Sequence, residues 1–162
     1  MDKVIKFFSM KYVPKISVSL LVLFITLAAC AQEKPVKWNF FTKKIADKKY
    51  ELHLIAVIEP GWHIYSSNQP QDAIGLPTSI NITTNPLLLF PGKPKEKGQL
   101  QKVKNKVLNT EEYQYTGSVD FMREVNLKAN VRTEIAGSIE FMACTDERCL
   151  PPETINFRVQ LH

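Results

Sequence analysis

Cysteine is scarce in this chain of 162 residues: there are three, and none lies between Cys30 and Cys144. A structural zinc site asks for four ligands, as two cysteine pairs or as cysteine with histidine. One pair, Cys144 and Cys149, with the scattered His53, His63 and His162, does not make that set. No metal is therefore expected, and His53 and His63 read as ordinary strand residues. No Ser/His/acid pattern stands out, which leaves a hydrolase without support. Beyond residue 31 there is no long helical stripe, no internal repeat and no low-complexity segment. Charge of one sign is also modest. The net +5 includes four basic residues and one acid before residue 31, so the rest of the chain carries +2 (5 − 3). That balance is too mild to argue for nucleic acid.

What is present begins with a basic leader. Lys3, Lys6, Lys11 and Lys15 precede the uncharged, mostly apolar run ISVSLLVLFITLAAC at 16–30. A membrane-spanning helix needs about 20 apolar residues, so the run is short for a permanent anchor and fits a signal segment over 1–30. Met10 is an alternative start. The end of the run, Leu-Ala-Ala-Cys, reads as a lipobox, with Cys30 lipidated and the chain held to a membrane by that anchor. Ala29-Cys30-Ala31 also fits small-x-small cleavage, with cutting after Ala31. By either route Cys144 and Cys149 remain together in an exported domain, 31–162. Export places them in a periplasmic or envelope compartment where disulfides persist.

Beyond residue 35 the apolar period is two. Tyr50, Leu52, Leu54, Ala56 and Ile58 share one face, as do Val119, Phe121 and Val125, then Ile135, Ile139 and Phe141, then Ile155, Phe157, Val159 and Leu161. Turn residues punctuate these runs at Pro60-Gly61, Pro70, Pro77, Pro86, Pro91-Gly92 and Pro151-Pro152. Many short strands at regular spacing predict an all-β sandwich or barrel. Lys93, Lys95, Lys97, Lys102, Lys104 and Lys106 read as a solvated loop or a lysine-protected edge strand, or else as a surface for an acidic partner. The strands at about 133–143 and 153–161 predict a hairpin with both cysteines in its connection. Cys144 has the parity opposite to Ile139 and Phe141, so it is expected to point away from the sandwich interior.

A disulfide there closes only its own turn. Chain entropy assigns about 2 kcal/mol to a six-residue loop, against nearly 5 for a loop of about 100. That weakens the reading as a staple. Thiol exchange asks that the two sulfurs meet, that one be reachable, and that the surroundings tune the thiolate. Asp146 and Glu147 oppose a thiolate and Arg148 favours one. Pro151 and Pro152 stiffen the chain just beyond Cys149. Staple and working pair both stand on these residues alone.

The segment CTDERCLPPET, 144–154, resembles the active-site segment of the N-terminal periplasmic domain of DsbD, the thiol:disulfide interchange protein. EPGWHIYS, 59–66, and EEYQYTGSVDF, 111–121, are similar to two further stretches of that family, in the same order and at the same spacing. The resemblance covers about 36–161. It implies an immunoglobulin-like β-sandwich in which Cys144 and Cys149 cycle between dithiol and disulfide, without a bound cofactor. It implies thioredoxin-like redox proteins as partners and an electron-carrying membrane protein, expected here as a separate polypeptide, with this chain acting as a monomeric carrier. It further implies an acidic-aromatic cap loop over the disulfide, formed by Glu111, Glu112, Tyr113 and Tyr115, with Tyr113 the first choice for the shielding ring. Strand-edge packing is the other reading of those tyrosines, and Trp62 and Tyr65 read as core. By analogy Cys149 is the sulfur first joined to a partner. The cysteines stand one residue closer than in the best-known members. The competing function is a non-catalytic envelope sandwich that binds a partner and uses the disulfide as a turn clamp.

Overall fold

The computed structural model describes residues 33–105 and 109–161. The leader over 1–30, with Cys30, lies outside them. Among the described residues every regular element is a strand: β1 Val36–Ala46, β2 Lys49–Ile58, β3 His63–Tyr65, β4 Ser79–Ile82, β5 Leu88–Leu89, β6 Lys95–Asn105, β7 Thr110–Leu127, β8 Thr133–Phe141, β9 Ala143–Cys144 and β10 Glu153–Leu161. They form two antiparallel sheets. The larger follows the order β1-β2-β7-β3-β9, with β5 and β6 also on β7; the smaller is β10-β8-β4.

β7 organises the larger sheet. Residues Val119–Phe121 pair with both β2 and β6, so these two strands lie on opposite sides of β7. β3 carries on where β2 leaves off, pairing Ile64 with Tyr115 and Tyr65 with Gln114. The break between them is the turn at Pro60-Gly61, where Gly61 has φ 83° and Trp62 N–H donates to Glu59 O at 3.1 Å. β1 pairs with β2 over Val36–Ala46. Sequence alternation alone does not mark β1, because Phe40 and Phe41 are adjacent and its C-terminal half carries lysines. Trp38 and Phe40 face inward; the Trp38 ring lies 5.4 Å from Phe141 and 5.8 Å from Phe121.

The period-two faces meet as the core. Leu52, Leu54, Ala56, Val119, Phe121 and Val125 of the larger sheet pack with Ile135, Ile139, Phe141, Phe157, Val159 and Leu161 of the smaller, all buried. β8 and β10 form the expected hairpin, pairing Phe141 with Glu153 through to Thr133 with Leu161. Its connection does more than turn. After Phe141 the chain leaves the smaller sheet, and β9 adds to the larger one beside β3. β6 runs as an edge strand on β7, with its lysines exposed.

Gly137 of β8 sits between Ile135 and Ile139 on the inward face, where a Cβ would come 2.4 Å from Asn81 O and 2.7 Å from the Phe157 ring. The missing side chain is the space that Phe157 fills. Gly137→Ala is expected to destabilise the domain by about 2 kcal/mol through overpacking. Adding Phe157→Leu should recover part of that loss, since the two changes share one volume. Urea unfolding of the two single variants and the double variant reads this coupling.

Candidate functional site

Cys144 and Cys149 face each other across a small antiparallel ladder. Leu150 N–H donates to Ala143 O at 2.9 Å and Thr145 N–H donates to Arg148 O at 2.7 Å. These bonds flank the cysteines, which makes Cys144 and Cys149 a non-hydrogen-bonded pair, the kind that brings side chains closest. Their Cα atoms are 4.0 Å apart and the sulfurs are joined. Thr145 builds the turn: its Oγ1 accepts from Glu147 N–H at 3.2 Å and Arg148 N–H at 3.1 Å. Both proline rings are exposed just beyond, ahead of β10.

Alternation carries through the change of sheet. Ala143 belongs to the core, and Cys144 points to the outer face of the larger sheet, as its parity predicts. Outer does not mean open, however. Cys144 is 1% exposed, whereas Cys149 is exposed to solvent. One cysteine is open to solvent and the other is shielded.

The shielding face is assembled from three strands. His63 of β3 is the ladder partner of Cys144, and Tyr65 is the ladder partner of Gln114 on β7. His63, Tyr65, Val103, Glu112, Gln114 and the turn Thr145–Cys149 line an open cleft of about 420 Å³. Of the four residues expected to form a cap, Glu112 alone lines this cleft. All four lie in β7, within a strand paired to β6 rather than in a loop. Parity separates them: Glu112 and Gln114 face the disulfide, while Glu111, Tyr113 and Tyr115 face the other way. Tyr115 is buried in the core and donates to Glu96 Oε2 at 2.9 Å. Burial and that carboxylate hold its phenol well above the usual range, so it stays a donor. Tyr113 is half-buried beneath the Lys102 ammonium, 4.8 Å from the ring centroid.

Tyr65 and His63, read from sequence as core and as an ordinary strand residue, instead form the wall of the site. The aromatic-x-aromatic alternation of Trp62-His63-Ile64-Tyr65 is compatible with either face. What decides is the partner strand β9, which arrives from about 80 residues away in sequence. Glu112 accepts N–H bonds from Ile74 at 3.3 Å and Gly75 at 3.0 Å. Burial and Glu112 together raise the Tyr65 phenol. Gly75 lies flat on the Tyr65 ring, where a Cβ would come within 2.3 Å. Glu112 thus clamps the 74–75 backbone over Tyr65.

A second network fixes β3. The Glu96 carboxylate on β6 accepts from Ser66 Oγ at 2.6 Å, from Ser67 N–H at 2.9 Å and from the Ser67 hydroxyl. The Gln69 side chain donates to Tyr113 O and accepts Tyr113 N–H at 3.0 Å. Trp62, half-buried, carries the Arg148 guanidinium 5.3 Å from its ring. His53 lies away from the cleft, with Nδ1 2.8 Å from Asp120 and Nε2 3.3 Å from Glu51, under the Phe41 ring.

The cleft is acidic. Glu112, Asp146 and Glu147 line it, with Arg148 as its one formal cation. Negative neighbours disfavour a further negative charge, so the sign left open by the sequence falls against a thiolate. Among the described residues no group of three or more His, Cys, Asp or Glu side chains is placed to hold a metal.

The family model described as thiol:disulfide interchange protein DsbD, N-terminal, matches residues 31–161, and the chain belongs to that family. No curated protein matches the chain. Among solved structures, the reduced N-terminal domain of Neisseria meningitidis DsbD is similar at 13% identity and TM-score 0.51, covering 81% of this chain and 90% of that one. It shares the expected immunoglobulin-like sandwich. The N-terminal periplasmic domain of ScsB from Proteus mirabilis gives 14% identity and TM-score 0.48, over 78% of this chain and 44% of that one.

Glu112→Gln should speed opening of the disulfide by an anionic thiolate. Relief of roughly 1 kcal/mol of repulsion corresponds to about fivefold. Added salt should narrow the difference by screening. The check is the rate of reduction by glutathione at two ionic strengths; equal rates for both proteins would show that the cleft charge does not act on the sulfurs.

Proposed function

We propose that this member of the DsbD N-terminal domain family is an exported thiol–disulfide exchange module, passing electrons between redox partner proteins through Cys144 and Cys149. One observation carries the reading: an exposed Cys149 bonded to a buried Cys144 on a turn whose backbone ladder stands by itself. Exchange proceeds by in-line attack of a thiolate on one sulfur while the other departs. With Cys144 shielded, Cys149 is the sulfur that a partner meets first, and Cys144 is the leaving sulfur.

The partner must itself bring a thiol to an exposed turn. A thioredoxin-like protein with a reactive thiol at a projecting site has the right chemistry. Of the four residues expected to cover the disulfide, we assign that role to Glu112, acting with Tyr65 and the 74–75 backbone that it clamps. An envelope location accords with the leader and the family, and Cys30 as a lipid-carrying residue would keep the domain at a membrane face. A separate membrane protein as electron source belongs to the same proposal.

The experiment is trapping. Cys144→Ser leaves the reachable sulfur without its resolving partner, so it should accumulate a mixed disulfide with a thioredoxin-like protein. Cys149→Ser should trap far less. The wild-type couple should also lie above about −300 mV, the level below which structural bridges fall. A lower potential, together with no adduct from either variant, would assign the disulfide to a turn clamp.

A further inference from the structure

The exchange reading leaves one sulfur without provision. When Cys149 is attacked, Cys144 departs with the electron pair of the broken bond. It does so at 1% exposure, behind a cleft that Cys149 lines together with Glu112, Asp146 and Glu147. A buried thiolate beside carboxylates is costly, and water reaches it poorly. Some group must supply a hydrogen bond or a proton there.

His63 occupies that place. It is the direct ladder partner of Cys144, and directly opposed residues project from the same face with Cβ atoms about 5 Å apart. It is 7% exposed, and it lines the same cleft as Cys149. The Tyr65 ring stands edge-on to it at 5.5 Å and limits its rotation. No hydrogen bond from its ring to another side chain competes for it among the described contacts. We propose that the His63 imidazole hands the departing Cys144 sulfur its proton, acting as the general acid of disulfide opening and, in reverse, as the base that prepares Cys144 for reclosure.

This inference rests on the exchange reading, and the balance is as follows. A thiolate of the reductant forms a bond to Cys149 Sγ. The Cys144–Cys149 bond breaks, and its electron pair goes to Cys144 Sγ. His63 gives its proton to that sulfur, and the proton released when the reductant's thiol ionises returns to the imidazole through solvent. A second thiolate of the reductant then attacks the mixed disulfide, and Cys149 leaves and is protonated from solvent. Two electrons and two protons move to the cysteine pair, and the reductant becomes a disulfide.

The charges around His63 come from every neighbouring element. Glu112 reaches it from β7, Asp146, Glu147 and Arg148 from the turn, and Tyr65 from its own strand; Val103 and Gln114 add no charge. Burial holds the imidazole below its ordinary range, with Asp146 and then Glu112 pulling the other way. It is therefore mostly neutral at neutral pH, and the imidazolium, the stronger proton donor, gains population as pH falls.

The test follows reduction of the oxidised protein by dithiothreitol from about pH 4.5 to about pH 8, across the range where an imidazole titrates. Each rate is divided by that of a small linear alkyl disulfide, which removes the titration of the reductant. The wild-type ratio should rise as pH falls through the His63 titration. His63→Gln should lower the neutral-pH ratio by about 10-fold or more and abolish the inflection. A pH profile unchanged by His63→Gln overturns the proposal while leaving exchange intact. A disulfide that resists dithiothreitol altogether overturns the exchange reading itself. A second measurement needs no variant: the imidazole titration, followed by NMR, should shift when the protein is reduced, because the disulfide sulfur facing the ring becomes a thiol that can share a proton with it. Identical titrations in the two states would also overturn the role.

Discussion

Between Phe141 and Ala143 the chain leaves one sheet of the sandwich and enters the other, and the site exists because of that crossing. Had β8 run on in its own sheet, Cys144 would have continued the ladder toward β10. Instead two residues of β9 pair with β3, which sets Cys144 against His63 and keeps Ala143 in the core beside Ile64. The crossing preserves alternation, so the inward side chains still fill the interior while the outward ones meet a new set of neighbours. Those neighbours, His63 and the face continued by Tyr65, Gln114 and Glu112, belong to strands otherwise occupied with holding the larger sheet together.

The acceptor strand β3 is only three residues long, too short to hold its position by ladder bonds alone. Side chains make up the difference. Glu96 gathers Ser66, Ser67 and Tyr115, and Gln69 satisfies both backbone groups of Tyr113. A partly buried carboxylate is tolerated where several donors converge on it. Here the donors come from the segment after β3 and from the core of β7. The network ties the wall of the cleft to the centre of the sheet, which is what positioning a reactive sulfur to within a fraction of an ångström requires. Thr78 adds one more tie, its hydroxyl donating to Tyr65 O at 2.6 Å.

Much of this architecture was legible in the sequence. The period-two runs picked out the buried faces of β2, β7, β8 and β10, and the spacing of the last two runs put both cysteines in a hairpin connection. The short pieces were not legible, for a physical reason. β3 and β9 are three and two residues long, and periodicity needs more residues than that to register. β1 was obscured by adjacent phenylalanines, one turned to the core and one stacked on His53. The cap loop came from the resemblance, which carries no pairing information, and the strand partner that makes the stretch part of β7 lies in the lysine-rich segment just before it. Once pairing is imposed, parity divides Glu112 from Tyr113, and only the carboxylate faces the sulfurs. Parity within one strand is local information; which strand comes alongside is not, and that is where His63 and Tyr65 were missed.

The placement of the disulfide bears on what kind of bond it is. A cross-link that joins distant parts of a chain restricts the unfolded ensemble strongly and is missed when it opens. Cys144 and Cys149 restrict almost nothing that the turn does not already restrict. The flanking hydrogen bonds of Ala143 with Leu150 and Thr145 with Arg148, and the Thr145 hydroxyl within the turn, hold the two backbones side by side without the sulfurs. Opening the bond therefore removes only about 2 kcal/mol of loop entropy from the folding balance. Reclosure asks for no refolding, since the Cα atoms are held together by the ladder. A bond that the fold does not need, at a place the fold keeps ready for it, is suited to being broken and made repeatedly. The shielded sulfur then matters more than the exposed one. Cys149 is exposed, so under the exchange reading the demand falls on how the interior receives Cys144.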